Sequence, residues 1–177
     1  MASLIANFEY DIFISYRHND NRSGWVTEFV KALQEELAST IKEPVSVYFD
    51  TNPHDGLLET HNVDKSLEGK LKCLLFIPII SQTYCDTKSF AWQHEFVAFN
   101  KLAKEGTPLS SGEGPGVRSF GRDIKLRNGN VASRILPVKI HDLDLEDKSL
   151  LESELSAVLS AIEFYLQKKQ SSIGHYR

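Results

Sequence analysis

The sequence predicts an α/β protein built on a mainly parallel sheet. Short segments rich in β-branched and aromatic residues alternate along the chain with segments whose apolar residues recur every three or four positions. The run at residues 73–79 is apolar on both of its faces, as is typical of a central strand that helices cover on both sides. Strands that alternate with helices form βαβ units with right-handed crossovers, which gives a parallel sheet.

The first half of the chain contains two predicted strands and two predicted helices. In chain order they are a strand at 10–15, a helix at about 25–40 capped by Asn21 or Ser23, a strand at 45–49 and a short helix at 64–71. Pro44 prevents the first helix from continuing. Residues 51–62 contain proline, glycine and several other turn formers, and we interpret them as a loop.

The second half continues the alternation. Its predicted elements are a strand at 73–79, a helix at 91–103, a strand at 135–140 and a helix from Lys148, while 158–166 fits either an extension of that helix or an edge strand. Residues 105–122 are rich in glycine, proline and serine and predict a flexible insertion. We therefore divide the chain into an N-terminal extension at 1–7, one domain at 8–166 and a tail at 167–177.

Composition excludes several classes of function. The 177 residues carry a net charge of −4, so the chain as a whole has no electrostatic attraction to nucleic acid, and we expect no nucleic-acid partner. Two cysteines provide neither a disulfide scaffold nor a zinc quartet, which favours a reducing, cytoplasmic setting, and the histidines lack metal-ligand spacing. The longest apolar run is too short to span a bilayer, which needs about 20 residues.

Catalytic motifs of common α/β enzymes are missing. The sequence lacks the glycine fingerprints of dinucleotide-binding and P-loop proteins, the zinc-protease helix motif and the nucleophile elbow of hydrolases. A receiver domain needs paired acids after its first strand, where this chain has Ser15-Tyr16-Arg17, and an aspartate ending its third. These readings therefore lose their support.

One carboxylate stands in a suggestive position. Glu95 lies in the first turns of the helix predicted after the third strand, where the helix dipole favours an ionised carboxylate. Trp92 precedes it by three residues, which places the two on neighbouring positions of one helical face. The alternative is an ordinary surface glutamate near a helix N-terminus, and composition alone favours that alternative.

Four segments together resemble a Toll/interleukin-1 receptor (TIR) domain. They are YDIFISYRHND at 10–20, VYFDTNPHDG at 47–56, LLFIPIISQTYCDTKSFAWQHEF at 74–96 and RILPVKI at 134–140. They resemble, in order, the first strand, the second strand with its BB loop, the third strand with the catalytic helix, and the fourth strand of that family. The resemblance covers roughly residues 8–166 and is closest to bacterial TIR effectors.

The resemblance implies both a fold and an activity. The fold is a flavodoxin-like TIR fold with a mainly parallel five-stranded sheet in the order 2-1-3-4-5. Many such domains cleave NAD⁺ between nicotinamide and ribose, with a glutamate at the position of Glu95 as the essential residue. NAD⁺ is then a substrate, and no cofactor or metal is needed. The family often has tryptophan four residues before that glutamate, whereas Trp92 is three before.

The resemblance also implies binding residues. The NAD⁺ site would contain Phe13, Ser15, Tyr16, Arg17, Asp50 and Trp92, with Arg17 facing the pyrophosphate as a guanidinium fork. A turn-forming Asp50 and a surface Arg17 remain open alternatives. We interpret His94 as structural, and Phe49 and Tyr84 as packing residues.

Self-association is the remaining implication. TIR domains generally act as assemblies, and the BB loop here supplies Asn52, Pro53, His54, Asp55, Gly56, Leu57 and Leu58. We expect head-to-tail contacts that form an oligomer or filament, and a fused or separate cyclic-nucleotide sensor module as a partner. The predicted function is NAD⁺ depletion in antiviral defence or cell death. The sequence leaves open whether the product is linear or cyclic ADP-ribose, and whether the domain is instead a non-enzymatic interaction module.

Overall fold

A computed structural model describes residues 3–6, 8–50, 67, 69–105, 123–125, 131–155 and 162–163. It is a mixed α/β structure with a mainly parallel sheet flanked by helices, which confirms the predicted α/β class. The strands are β1 (Tyr10–Ser15), β2 (Val47–Phe49), β3 (Cys73–Ile80), β4 (Asp123–Lys125), β5 (Val131–Ser133), β6 (Val138–Lys139) and β7 (Ile162–Glu163). The helices are a 3₁₀ turn (His18–Asn21), α1 (Trp25–Thr40), a π-helix (Ala91–Val97) that runs into α2 (Ala98–Glu105), and α3 (Leu145–Leu155).

The main sheet has the order β2-β1-β3-β6-β7, and each neighbouring pair is parallel. β1 pairs with β2 through Ile12↔Val47 and with β3 through Ile12↔Leu75. Strand β3 therefore lies inside the sheet, as its apolar residues on both faces predict. Strands β4 and β5 form a separate antiparallel pair that the sequence analysis did not predict.

Two hydrophobic clusters cover the two faces of the sheet. One joins β1 and β3 to the helices at 91–105 and α3, and its fully buried members include Phe13, Phe76, Phe96 and Phe99. The other joins the opposite faces of the same strands to α1 through Ile14, Ile79, Val26 and Val30. From Ile12 to Ile14 of β1, successive residues alternate between the clusters because side chains on a strand point to opposite faces in turn.

Some element boundaries differ from those predicted, for reasons visible in the hydrogen bonds. The strand predicted at 135–140 is reduced to Val138–Lys139, with Ile135 in an isolated bridge to Phe76. Pro137 lies between them and has no N–H to donate to a ladder. Likewise, the strand predicted at 45–49 is limited to Val47–Phe49.

The helices begin where polar side chains cap them. Helix α3 starts at Leu145 rather than Lys148, because the carboxylate of Asp144 accepts the Asp147 N–H at 2.8 Å. At α1 the N-cap position is Gly24 rather than either predicted residue, but the side chain of Asn21 still caps the first turn, because its Oδ1 accepts the N–H of Val26 at 2.9 Å.

The sequence left both a helix extension and an edge strand open for residues 158–166. The structure places strand β7 in this segment, paired with β6. Four predicted segments lie wholly or partly outside the described residues: the BB loop at 51–62, the short helix at 64–71 at positions 64–66 and 68, the insertion beyond residue 105 as far as 122, and the tail at 167–177. Within the described part of the chain, none of the helices has the length and apolar character needed to cross a membrane.

Candidate active site at the carboxyl edge of the sheet

The segments that follow β1 and β3 are tied together at the carboxyl edge of the sheet. The side chain of Asp20 accepts hydrogen bonds from Ser81 Oγ at 2.5 Å and from Thr83 Oγ1 at 2.7 Å. Ser81 Oγ also accepts the N–H of Tyr84 at 3.0 Å, which closes the turn after β3. These bonds fix the two loops next to the edge where ligands of open parallel sheets bind.

Beneath these loops lies a buried chain of three polar side chains. Ser15 Oγ donates a hydrogen bond of 2.6 Å to Glu95 Oε2, and lies 2.7 Å from the hydroxyl oxygen of Tyr84. Ser15 and Tyr84 have no exposed surface, and Glu95 is 8% exposed. We call Ser15, Tyr84 and Glu95 the buried triad.

Local structure explains why these residues meet. Ser15 ends β1 and lies on the same strand face as Phe13, which faces the helices at 91–105. On the facing helix, Ala91, Trp92, Glu95 and Phe96 are the buried residues, whereas Gln93 and His94 are exposed. Glu95 is therefore an interior residue, in contrast to the alternative of a surface glutamate.

The helix that carries Glu95 is wound as a π-helix over Ala91–Val97. Ser89 Oγ accepts the N–H of Trp92 at 3.1 Å and thereby caps the start of this segment. A π-helix has more residues per turn than an α-helix, so the α-helical spacing assumed for Trp92 and Glu95 does not apply. Trp92 packs instead on Phe96, with ring centroids 5.0 Å apart, and its edge contact with Tyr84 spans 6.4 Å.

The phenol of Tyr84 remains protonated at neutral pH. Burial, and next the nearby Glu95 carboxylate, raise the pKa of Tyr84 well above its ordinary value, and the hydrogen bond with Ser15 opposes this only in part. Tyr84 is therefore a neutral hydroxyl in a buried position. Its burial fits the predicted packing role, whereas the contact of its hydroxyl with Ser15 was not predicted.

Arg17 lies at the same edge of the sheet, where its guanidinium bonds to the loop after β3. Its Nη1 donates to the backbone oxygen of Thr83 at 2.8 Å and to Asp86 Oδ2 at 3.1 Å. The Arg17 side chain is 23% exposed and that of Asp86 is 46% exposed. Hydrogen bonds from the Lys88 N–H and from Arg17 lower the pKa of Asp86, so this carboxylate is ionised at neutral pH.

Tyr16 and Asp50 meet on the other side of the sheet. Tyr16 follows Ser15 and points to the α1 face, where its ring stacks on Phe49 at 5.1 Å. The Tyr16 hydroxyl donates to the backbone oxygen of Asp50 at 2.6 Å and so joins the ends of β1 and β2. These two predicted binding residues are thus in contact with each other.

The remaining predicted residues are placed less directly at the edge. Phe13 is fully buried and stacks between Tyr48 at 4.9 Å and Phe76 at 5.5 Å, so it serves as a core residue. His94, interpreted as structural, stacks on Phe90 at 4.7 Å. The BB-loop residues Asn52, Pro53, His54, Asp55, Gly56, Leu57 and Leu58 lie outside the described residues.

Four residues without an individually predicted role also contribute to this edge, namely Asp20, Ser81, Thr83 and Asp86. Asp20 lies in the 3₁₀ turn after β1 and the other three lie in the loop after β3, and this location at the carboxyl edge is the signal that the sequence offers for them. In the part of the chain that the structure describes, no group of three His, Cys, Asp or Glu residues could hold a metal ion. Comparison with protein-family models and with curated proteins found no match to this chain.

Proposed function

We propose that this chain is a TIR-type domain that cleaves NAD⁺ at the bond between nicotinamide and ribose. The observation that carries the proposal is the buried carboxylate of Glu95, which Ser15 holds at the carboxyl edge of the sheet. Strands β6 and β7 are the fourth and fifth strands of the main sheet, because β4 and β5 form a separate pair. The sheet order β2-β1-β3-β6-β7 therefore corresponds to 2-1-3-4-5 and supports a flavodoxin-like TIR fold. The resemblance of the four sequence segments described above supports the same family.

One carboxylate suffices for this reaction. The nicotinamide of NAD⁺ is a cationic leaving group that departs neutral, so no general acid has to protonate it. Positive charge develops on the ribose as the bond breaks, as in other glycosyl transfers. An anionic Glu95 stabilises that charge, and its low exposure strengthens the interaction because water screens it less. Water attack completes hydrolysis to ADP-ribose, whereas attack from within the ligand gives a cyclic product.

The other predicted residues serve binding in this proposal. Arg17 pairs with the pyrophosphate. Tyr16 and Asp50 contribute indirectly, by joining the ends of β1 and β2 beside the site, and Trp92 packs on Phe96 next to Glu95. Activity requires self-association into an oligomer or filament through the BB loop, and a cyclic-nucleotide sensor module is the proposed trigger. The biological role is depletion of cytoplasmic NAD⁺ in antiviral defence or cell death.

The test is nicotinamide release from NAD⁺ by concentrated or crowded protein. We expect wild type to release nicotinamide and Glu95→Gln, which keeps the size of the side chain but removes its charge, to be inactive. Glu35→Gln is the matched control, because Glu35 is an exposed glutamate on α1. Activity that persists in Glu95→Gln and in Glu95→Ala contradicts the assigned mechanism. Mass analysis of the product separates linear from cyclic ADP-ribose.

A non-enzymatic TIR interaction module is the second candidate. The burial of Glu95 and its hydrogen bond to Ser15 are also compatible with this candidate, since a carboxylate bonded inside the fold can serve the structure alone. This candidate predicts no nicotinamide release even at concentrations where the protein self-associates. It also predicts that a BB-loop change such as Gly56→Pro abolishes self-association.

A further inference from the structure

The direction of the hydrogen bonds in the buried triad follows from counting protons. A serine hydroxyl has one proton to donate, and Ser15 donates it to Glu95 Oε2. The contact of 2.7 Å between Ser15 and Tyr84 then requires Tyr84 to be the donor. The chain therefore runs in one direction, from the Tyr84 hydroxyl through Ser15 to the carboxylate of Glu95.

Tyr84 is well suited to hold that direction. Its ring is fully buried and has edge contacts with Trp92 and Phe96, with centroids 6.4 and 6.2 Å away. Its backbone N–H is bonded to Ser81 Oγ, so the residue is held at both ends. Since the phenol remains neutral, it keeps its proton and acts only as a donor to Ser15.

We propose that Tyr84 is a positioning residue for Glu95, which it orients through the Ser15 hydroxyl for the NAD⁺ cleavage proposed above. Donation from Tyr84 polarises the Ser15 O–H and strengthens its bond to the carboxylate, because hydrogen bonds in a chain reinforce one another. It also fixes the rotation of the Ser15 hydroxyl, which otherwise could turn its proton away from Glu95. The inference rests on the proposed function for its catalytic consequence, and on geometry alone for the coupling.

Tyr84→Phe tests this role because it removes only the hydroxyl and keeps the packed ring. We expect kcat for nicotinamide release to fall about three- to tenfold, as for loss of one hydrogen bond, with KM for NAD⁺ within about twofold of wild type. Tyr10→Phe is the matched control, because Tyr10 lies at the opposite end of β1 and is only partly buried. A purely structural role for Tyr84 predicts no change in kcat once the folded fraction is equal.

A double variant separates action through Ser15 from an independent effect. If Tyr84 acts through Ser15, Ser15→Ala combined with Tyr84→Phe has the same kcat as Ser15→Ala alone. A double variant whose kcat falls by the product of the two single-variant losses overturns the proposal.

Carboxyl ¹³C NMR of the full chain provides a readout that needs no activity. The Glu95 signal is assigned by its disappearance in Glu95→Gln. We expect it to move in Ser15→Ala and in Tyr84→Phe but not in Tyr10→Phe. A Glu95 signal that Tyr84→Phe leaves in place overturns the coupling. Absence of nicotinamide release from wild type overturns the proposed function instead, so the two failures are distinguishable.

Discussion

Ser15 and Glu95 are 80 positions apart in the sequence, yet the Ser15 hydroxyl donates a hydrogen bond of 2.6 Å to Glu95 Oε2. The contact joins the last residue of β1 to the π-helix that follows β3. Adjacent parallel strands bring their carboxyl ends to one edge of the sheet, so the topology creates this pairing. Both residues are buried, which makes the bond a fixed part of the site.

Removal of the Ser15 donor is expected to slow nicotinamide release. A hydrogen bond to a charged group contributes about 1.5–3 kcal/mol, so Ser15→Ala lowers kcat by about 10- to 100-fold if that bond orients the carboxylate in the transition state. Steady-state nicotinamide release measures the effect. Ser39→Ala is the control, because Ser39 is exposed on α1, where its hydroxyl donates to the backbone oxygen of Glu36. An unchanged kcat in Ser15→Ala contradicts the role assigned to this bond.

Asp86 is expected to compete with NAD⁺ for Arg17. The Arg17 guanidinium is paired with Asp86 at 3.1 Å, so it has to exchange this partner in order to bind the pyrophosphate. Asp86→Asn removes the competing charge, and we expect KM for NAD⁺ to fall a few-fold, the size of effect usual for exposed ion pairs. Arg17→Gln raises KM.

The control for Asp86→Asn is Asp142→Asn, which breaks another ion pair, between the exposed Asp142 and the partly buried Lys139 at 3.5 Å. It is expected to leave KM unchanged. A KM that is equal in wild type and Asp86→Asn shows that the Arg17–Asp86 pair does not limit binding.

Much of the fold follows from local patterns in the sequence. The bounds of β1 and α1 agree with the predicted 10–15 and 25–40, because each segment combines a clear apolar period with an evident start or stop signal. The position of Glu95 after the third strand also follows from the alternation of elements. The predicted bounds are wrong for the strand at 135–140, which is shorter in the structure because Pro137 has no backbone N–H to donate to the ladder.

The hydrogen-bond partners within the site could not be predicted in the same way. Tyr84 reaches Ser15 because of the shape of the turn after β3. Ser81 closes that turn: its hydroxyl donates to Asp20 and accepts the N–H of Tyr84. The π-helix likewise leaves no recognisable pattern in the sequence, so the sequence predicts α-helical spacing between Trp92 and Glu95. Both features are set by tertiary packing rather than by local propensity.

Asp11 is expected to be a major determinant of stability at neutral pH. Its buried carboxylate accepts hydrogen bonds from Ser3 Oγ, the Leu4 N–H, and both the N–H and Oγ of Ser46. Burial acts to raise its pKa, but these donors outweigh burial and hold the pKa of Asp11 below the ordinary 3.8. Asp11→Asn replaces one acceptor oxygen by a donor, and we expect a loss of about 1–3 kcal/mol in the free energy of unfolding at pH 7.

The pH dependence of that loss has a definite sign. Because the pKa is lower in the folded than in the unfolded state, the stabilisation by ionised Asp11 is complete above the unfolded value and is lost as pH falls through the folded value. Urea unfolding is expected to show a difference between wild type and Asp11→Asn that shrinks below about pH 4. Asp142→Asn, a change at an exposed aspartate, serves as the control. A difference of the same size at neutral and acidic pH contradicts the assignment.

Cys73 and Cys85 are expected to resist alkylation in the folded protein. Burial raises the pKa of each thiol to about 12, and the carboxylates of Asp147 and Asp144 act in the same direction on Cys85. Only ~1 in 10⁴ of such thiols is ionised at pH 8, and the thiolate is the reactive form. Iodoacetamide followed by intact-mass measurement should therefore show no addition to native protein and two additions in denaturant. Ser39→Cys provides an exposed thiol on α1 as the positive control. Rapid addition to Cys85 in native protein would mean that the loop after β3 opens, and with it the contact between Tyr84 and Ser15.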